Sequence, residues 1–426
     1  MRSGLPCPAH ARRLGSRLRP APEGAHPGGS LTIATPVRRL PGARHRNDSD
    51  LCAVCKRPLG TWSHHHDGGS SQRRKAMQIN ETELTALTTQ LATELVGAWG
   101  VVSIHLGVRH GLYRALSAGP ASPGELAQRT GTNERLVQEW LIGQALGGYI
   151  TEDADGRYRL SPEQAMVLAV EESPAYLGGL TEVLAATVQG QQRIDAAFRS
   201  DGALSWGDQN PGLFDGFDRS FGPVYRACLL TQWLPALSGV ESKLAAGARV
   251  ADIGAGQATA VTLMAAEFPA SRFVAVDLHQ GSLEAAAKKA AAAGVADRIQ
   301  LENASGAEYG GGPYDLITFF DSLHDMGDPE QVIANAARQV AEDGSVMVVE
   351  PMTAEGPDDA AGMVAARLFY PSSAMLCTPS ALAGGATALG NQVADETWAR
   401  LFHSNGFTSF RRVAQTPFNR VFEARR

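Results

Sequence analysis

The stretch that decides the fold reads Arg249-Val-Ala-Asp-Ile-Gly-Ala-Gly-Gln-Ala258 and resumes, past a helical segment, as Arg272-Phe-Val-Ala-Val-Asp277. An apolar strand runs straight into Asp252-x-Gly254-x-Gly256. A second apolar strand then ends on an acid about twenty residues beyond the glycines. Glycines let backbone approach a ligand closely, and a helix start supplies unpaired N–H groups. The carboxylate closing the second strand can accept both hydroxyls of a ribose. Ala258 holds the third loop position and an acid stands two residues before the first glycine. The loop therefore departs from the dinucleotide pattern Gly-x-Gly-x-x-Gly.

Outward from this point the chain alternates strand and helix. Strands are predicted at 250–253, 273–276, 299–301, 316–320 and 346–349, with two late ones at 409–413 and 420–423. Helices are predicted at 258–267, 282–293 and 329–340, the last with Asp328 as N-cap, Pro329 at its first position and Gln331 returning a hydrogen bond. This is an α/β Rossmann-like domain over 245–426, a parallel sheet with an antiparallel last strand. Residues 351–391, rich in Ala, Gly, Ser and Thr, form an insertion placed to act as a lid.

Open parallel sheets bind ligands beyond the carboxyl ends of their strands. Asp252, Asp277, Asp321 and Glu350 all fall at or near such ends. One acid alone reads as an ordinary cap or turn residue; four in register with a Gly-rich loop suit a cationic ligand rich in donors. Lys and Arg are absent from 252–263, so no phosphate is provided for. S-adenosylmethionine (SAM), with its sulfonium, ammonium and ribose hydroxyls, meets these requirements. His324 lies about one turn beyond Asp321 and has a neighbouring carboxylate, which suits a general base; the plainer reading is a loop-capping histidine.

The rest of the chain frames this domain. Its 426 residues leave room for two or three domains. Residues 1–77 carry fourteen Lys/Arg against four acids and are read as a disordered basic tail, with Met77 a candidate natural start. Within the tail, Cys52-x-x-Cys55 and His64–His66 invite zinc, but only one Cys pair has ligand spacing, so no metal site is assigned. Residues 78–170 read as a winged helix: a first helix at 84–98, a second at 101–116, a third opened by Ser122-Pro123-Gly124-Glu125, and a fourth capped by Thr132. A hairpin around Asp153–Gly156 makes the wing. Six Arg against ten acids over 78–170 oppose DNA binding, leaving a dimerisation module. Residues 171–244 read as a helical linker and pocket wall, broken at Gly222-Pro223 and carrying Trp206, Phe214, Phe217, Phe221, Tyr225 and Trp233. No run of about eighteen apolar residues and no secretory leader are read, and five cysteines do not make a disulfide framework, so a reducing cytoplasm is expected.

Taken together, Asp252-Ile-Gly254-Ala-Gly256, Asp277 and the Leu323-His324-Asp325 loop with Asp328 resemble motif I and the catalytic loop of class I SAM methyltransferases. The resemblance is to small-molecule O-methyltransferases of the plant caffeate and polyketide type. It is closer to actinobacterial enzymes that join a winged helix to the SAM domain. The phrases Phe319-Phe320-Asp321-Ser322-Leu323-His324-Asp325-Met326-Gly327-Asp328-Pro329, Cys377-Thr378-Pro379-Ser380 with Leu389-Gly390, and Thr416-Pro417-Phe418-Asn419 carry it. It implies His324 as general base and Glu350 as the acid orienting it. It also implies Asp277 on the ribose, Leu278 against the adenine, Ala304 and Ser305 beside the base, and a homodimer acting on a small molecule. Two positions depart from the family: Met326 stands where those enzymes usually carry Trp, and Asn303-Ala304-Ser305 where an acid often meets the adenine amine. The competing readings are a SAM-binding regulator without catalysis and an NAD-dependent oxidoreductase.

Overall fold

The computed structural model describes residues 79–426, apart from Pro357, Ala386 and the side chain of Ala361. The basic tail and its Cys52/Cys55 and His64–His66 group lie outside the described residues. Gln90–Arg426 belongs to one compact unit; Pro8–Thr89 is a second, of which only 79–89 are described.

A single helix, Glu81–Arg109, runs through the expected break near residue 100, because Gly97 and Gly100 meet nothing that forces a turn. The chain bends instead at Gly111, whose φ of 67° only glycine adopts without strain, and re-enters a helix at Leu112–Ser117. By length and composition Glu81–Arg109 is apolar enough to cross a membrane, although polar residues interrupt it and no continuous apolar run exists. Ser122 caps Pro123–Thr130 in a full capping box with Glu125. The cap of Glu134–Leu146 is Asn133, which accepts the Leu136 N–H, while the expected cap Thr132 bonds Thr130 instead. The wing is the short antiparallel pair β1 (Thr151–Glu152) and β2 (Tyr158–Arg159).

The linker is helical as read, but Gly222-Pro223 breaks nothing. Pro223 sits inside the helix Gly212–Cys228, which passes into a π-turn over Leu229–Trp233. That helix crosses Gly178–Gln189 at glycines. A Cβ on Gly179 would stand 2.6 Å from Ser220 Oγ and 2.7 Å from the Ser220 backbone nitrogen.

The sheet contains β3 (Arg249–Ile253), β4 (Arg272–Val276), β5 (Ile299–Glu302), β6 (Tyr314–Phe320), β7 (Val340–Pro351), β8 (Ser409–Gln415) and β9 (Asn419–Arg425). Its order is β5-β4-β3-β6-β7-β9-β8, parallel except for β9, which runs antiparallel to both neighbours. Successive residues alternate between two cores, as the strand period demands. Val250, Phe273, Met347 and Val421 pack with Trp233 on one face, and Ala251, Ile317, Val348 and Phe422 with Trp398 and Phe402 on the other. The order reverses at β3 and β6, the switch point where such sheets hold ligands.

Gly179→Ala places a methyl against backbone that cannot yield. We expect a net loss of about 1–3 kcal/mol, the usual cost of overpacking, seen as a lower thermal midpoint. An unchanged midpoint would contradict the close crossing.

Candidate active site at the carboxyl edge of the sheet

Each acid read from the sequence is delivered by a strand end. Asp252 lies within β3, almost fully buried, and its Oδ1 accepts the Thr318 hydroxyl of β6 at 2.7 Å. Burial pushes its carboxyl up to about 7. Asp277 follows β4. Its two oxygens accept the backbone N–H groups of Gly256 and His279, each at 2.8 Å, which fixes the Gly-rich loop to the second strand end. Burial raises its pKa, and those two N–H donors work against the rise. Asp321 follows β6 with φ of 50°, a conformation that costs a residue with a side chain. Its Oδ1 accepts Asn419 Nδ2 at 2.8 Å and its Oδ2 accepts the Tyr225 hydroxyl at 3.1 Å. Burial, and then the charge of Glu350, push Asp321 up to about 7.

Ser322, next along, donates from its hydroxyl to the Ile253 carbonyl at 2.8 Å and ties the β6 loop to the β3 end. This contact explains Gly254 better than ligand approach does. With φ of 71° it already favours glycine, and a Cβ there would meet Ser322 Cβ at 2.6 Å and Met326 Cε at 2.9 Å. Gly256, by contrast, faces open space, with nothing within 4 Å of a would-be Cβ.

His324 sits in a 3-10 turn, Leu323–Asp325, and is buried. Its Nδ1 stands 2.8 Å from Glu350 Oε2, and Glu350 is wholly buried in β7. Nε2 lies 3.1 Å from Asp325 Oδ1. Burial disfavours the imidazolium, but Asp325 and Glu350 outweigh it and hold the His324 pKa well above its ordinary value.

Three of the candidate positions lie on the flank. Leu278 is largely exposed, Ala304 is half-buried, and the Ser305 hydroxyl bonds Glu308 Oε2. Asn303 joins that flank to Asp277: its Nδ2 donates to the carbonyls of Asp277 and Leu278. Asp328 holds the expected N-cap position before Pro329, but its side chain does not cap the helix. Asp328 takes φ of 50° and makes no side-chain cap bond; its carboxylate accepts the Thr387 N–H and the Gln331 side chain instead.

Several contributors escaped sequence reading. Tyr225 was assigned only to the pocket wall, and Asn419 and Cys377 only to recognisable phrases. The Phe214–His279 stack, 4.0 Å between centroids, had no signal at all. All are long-range pairings that no local spacing announces.

The donor set can be tested against a cofactor. Among the described residues, Asp252, Asp277 and Asp321 have no Lys or Arg within ion-pair distance, and Asp252 and Asp321 are pushed up to about 7. Buried carboxylates without a resident cation favour a ligand that brings its own positive charge. SAM fits such a set: Asp277 and the Gly256 loop for its nucleoside end, Asp321 for its ammonium end.

Comparison with known proteins agrees. Residues 251–346 match the family described as methyltransferase domain, and 98–170 match the Rv2258c-like winged HTH domain. A 3-hydroxy-5-methyl-1-naphthoate 3-O-methyltransferase of Streptomyces sahachiroi is 30% identical over 297 residues, covering 65% of this chain and 81% of that protein. Among solved structures, the mitomycin 7-O-methyltransferase MmcR aligns with a TM-score of 0.60 at 20% identity, over 82% of this chain and all of the other. NcsB1, an O-methyltransferase of neocarzinostatin biosynthesis solved with SAM and 2-hydroxy-5-methyl naphthoic acid, aligns with a TM-score of 0.54 at 16% identity, over 76% of this chain and 95% of its own.

The raised carboxyls give a signed pH dependence. Asp252 and Asp321 titrate near 7 when folded and near 3.8 ordinarily. The ligand-free fold therefore holds protons that the unfolded chain has lost, and these groups cost stability as pH rises from about 4 to about 7. A cation reverses this by favouring the ionised form. SAM binding should release protons at about pH 6 and tighten between about pH 5.5 and 8. Titration calorimetry in buffers of different ionisation enthalpy checks it; pH-independent affinity would contradict it.

Proposed function

The chain belongs to the SAM-dependent O-methyltransferases that carry an N-terminal winged helix, and we propose that it methylates a hydroxyl of a small aromatic, polyketide-like acceptor with His324 as general base. The observation that carries this reading is the buried His324–Glu350 pair beside three carboxylates that have no Lys or Arg partner among the described residues. Bound SAM supplies a methyl group made electrophilic by its sulfonium.

The chain's own residues supply the rest. Asp277 and the Gly256 loop bind the nucleoside end, with Leu278, Ala304 and Ser305 along the adenine side. Asp252 sets the floor from β3 and keeps Thr318 in register. Asp321, held by Tyr225 and Asn419, binds the ammonium. Glu350 accepts from Nδ1 of His324, which fixes the tautomer and leaves Nε2 to take the acceptor's hydroxyl proton. Positive charge bound near Asp321 lowers the His324 pKa from the high value its two carboxylate neighbours impose, freeing the base.

Aromatic acceptors suit the linker helix. Phe217, Phe221 and Tyr225 stack in near-parallel succession, 6.0 and 6.2 Å apart, and Tyr225 leans on Phe320 at 5.2 Å. The Streptomyces sahachiroi relative is named for a hydroxynaphthoate, and NcsB1 was solved holding one. Residues 351–391 serve as the lid over this pocket, and 171–244 as its wall. The acidic winged helix leaves DNA no cationic surface and serves dimerisation in a cytoplasmic enzyme. Leu91, Leu95, Trp99 and Val102 of Glu81–Arg109 are all more than half exposed and form its unpartnered apolar side.

His324→Gln is expected to lower kcat by roughly 10²–10⁴-fold with SAM affinity not weakened, measured with labelled SAM and hydroxynaphthoate acceptors. Full turnover in that variant would end the base assignment. For the dimer, Leu95→Glu combined with Trp99→Glu should give a monomer by light scattering. A wild-type monomer would refute the interface.

A further inference from the structure

Nε2 of His324 faces a cluster that methyl transfer does not require. The Asp325 carboxylate oxygen Oδ1, 3.1 Å away, is buried and has no hydrogen-bond partner outside this cluster. Cys377 reaches the same place from a π-turn, Ser373–Cys377, in the lid segment, and its Sγ is buried and reduced. One nitrogen, one oxygen and one sulfur from these three residues lie within 4.8 Å of one another. Ligands on one tetrahedral zinc ion, with bonds of about 2.0–2.3 Å, are separated by roughly 3.2–3.8 Å, so small side-chain adjustments suffice.

We propose that His324, Asp325 and Cys377 form a three-ligand site for a divalent ion of the zinc class. Three side chains with a fourth position open is the ligand count of reactive zinc centres, and the mix of imidazole, carboxylate and thiolate selects zinc over magnesium or calcium. The surroundings fit that assignment independently. Glu350 accepts from Nδ1 of His324, the carboxylate–histidine–metal arrangement that orients a ligating imidazole. Asn391 Nδ2 lies 3.5 Å from Cys377 Sγ, placed to donate to a thiolate. On binding, the ion replaces the thiol proton of Cys377 and the Nε2 proton of His324, and both protons leave to solvent.

The site joins the turn after β6 to the lid segment through one atom of metal. An occupied site takes the Nε2 lone pair, so zinc blocks turnover; this consequence rests on the reading of His324 as base, while the site itself does not.

Cobalt(II) is the probe, because a thiolate ligand gives a near-ultraviolet charge-transfer band and tetrahedral geometry gives intense visible bands. The full-length chain carrying Cys7→Ser, Cys52→Ser and Cys55→Ser should bind one equivalent with both signatures and lose them to added zinc. Cys377→Ala should abolish the charge-transfer band, and Asp325→Asn should weaken cobalt affinity at least tenfold. Cys377→Ser, which keeps the side chain's size, guards against misfolding and should also lack the band. Absence of the band at millimolar cobalt, or its survival in Cys377→Ser, overturns the site. A protein that gives the band yet keeps full turnover with zinc bound retains the site and refutes the base.

Discussion

Burial of carboxylates with no Lys or Arg beside them is the constraint on which the rest of this structure depends. Asp252, Asp277 and Asp321 sit at adjoining strand ends, and each carboxyl is held by donors from elsewhere in the chain. Such groups are expensive to bury and are tolerated where hydrogen bonds and an arriving charge offset the cost. Thr318, Gly256, His279, Tyr225 and Asn419 supply the bonds. The cofactor supplies the charge. The linker helix reaches Asp321 through Tyr225, and the antiparallel β9 through Asn419.

The parallel sheet and its order were legible because the signals are local. A strand running into Asp252-x-Gly254-x-Gly256, and apolar runs that alternate with helical spacing, depend only on neighbours in sequence. The acids were legible for the same reason, since each stands at or near the end of an apolar run. What failed was equally local in cause. The break read between 98 and 101 and the one read at Gly222-Pro223 are both absent, because each helix runs straight through. Asp328 does stand at the helix N-cap, yet Thr387 claims its carboxylate.

The site's connections were the illegible part. Gly254 carries the clearest example: its missing side chain is demanded by Ser322 and Met326, which lie far along the chain. Tyr225, Asn419 and Cys377 each reach the site from a different segment, and their partners are set by tertiary closure. A motif reports the residues nearest the ligand and is silent about what holds them.

The hydroxyl of Tyr225 on Asp321 has one more consequence. On the proposed reading, the helix that walls the acceptor side of the pocket also steadies, through Tyr225, the acid facing the cofactor, so the two occupants would not bind independently. Whatever the acceptor does to that helix is felt at Asp321 as a change in cofactor affinity, and reciprocity requires the cofactor to alter acceptor affinity by the same factor. On that reading, the affinity for either occupant cannot be tuned at this helix without shifting the other.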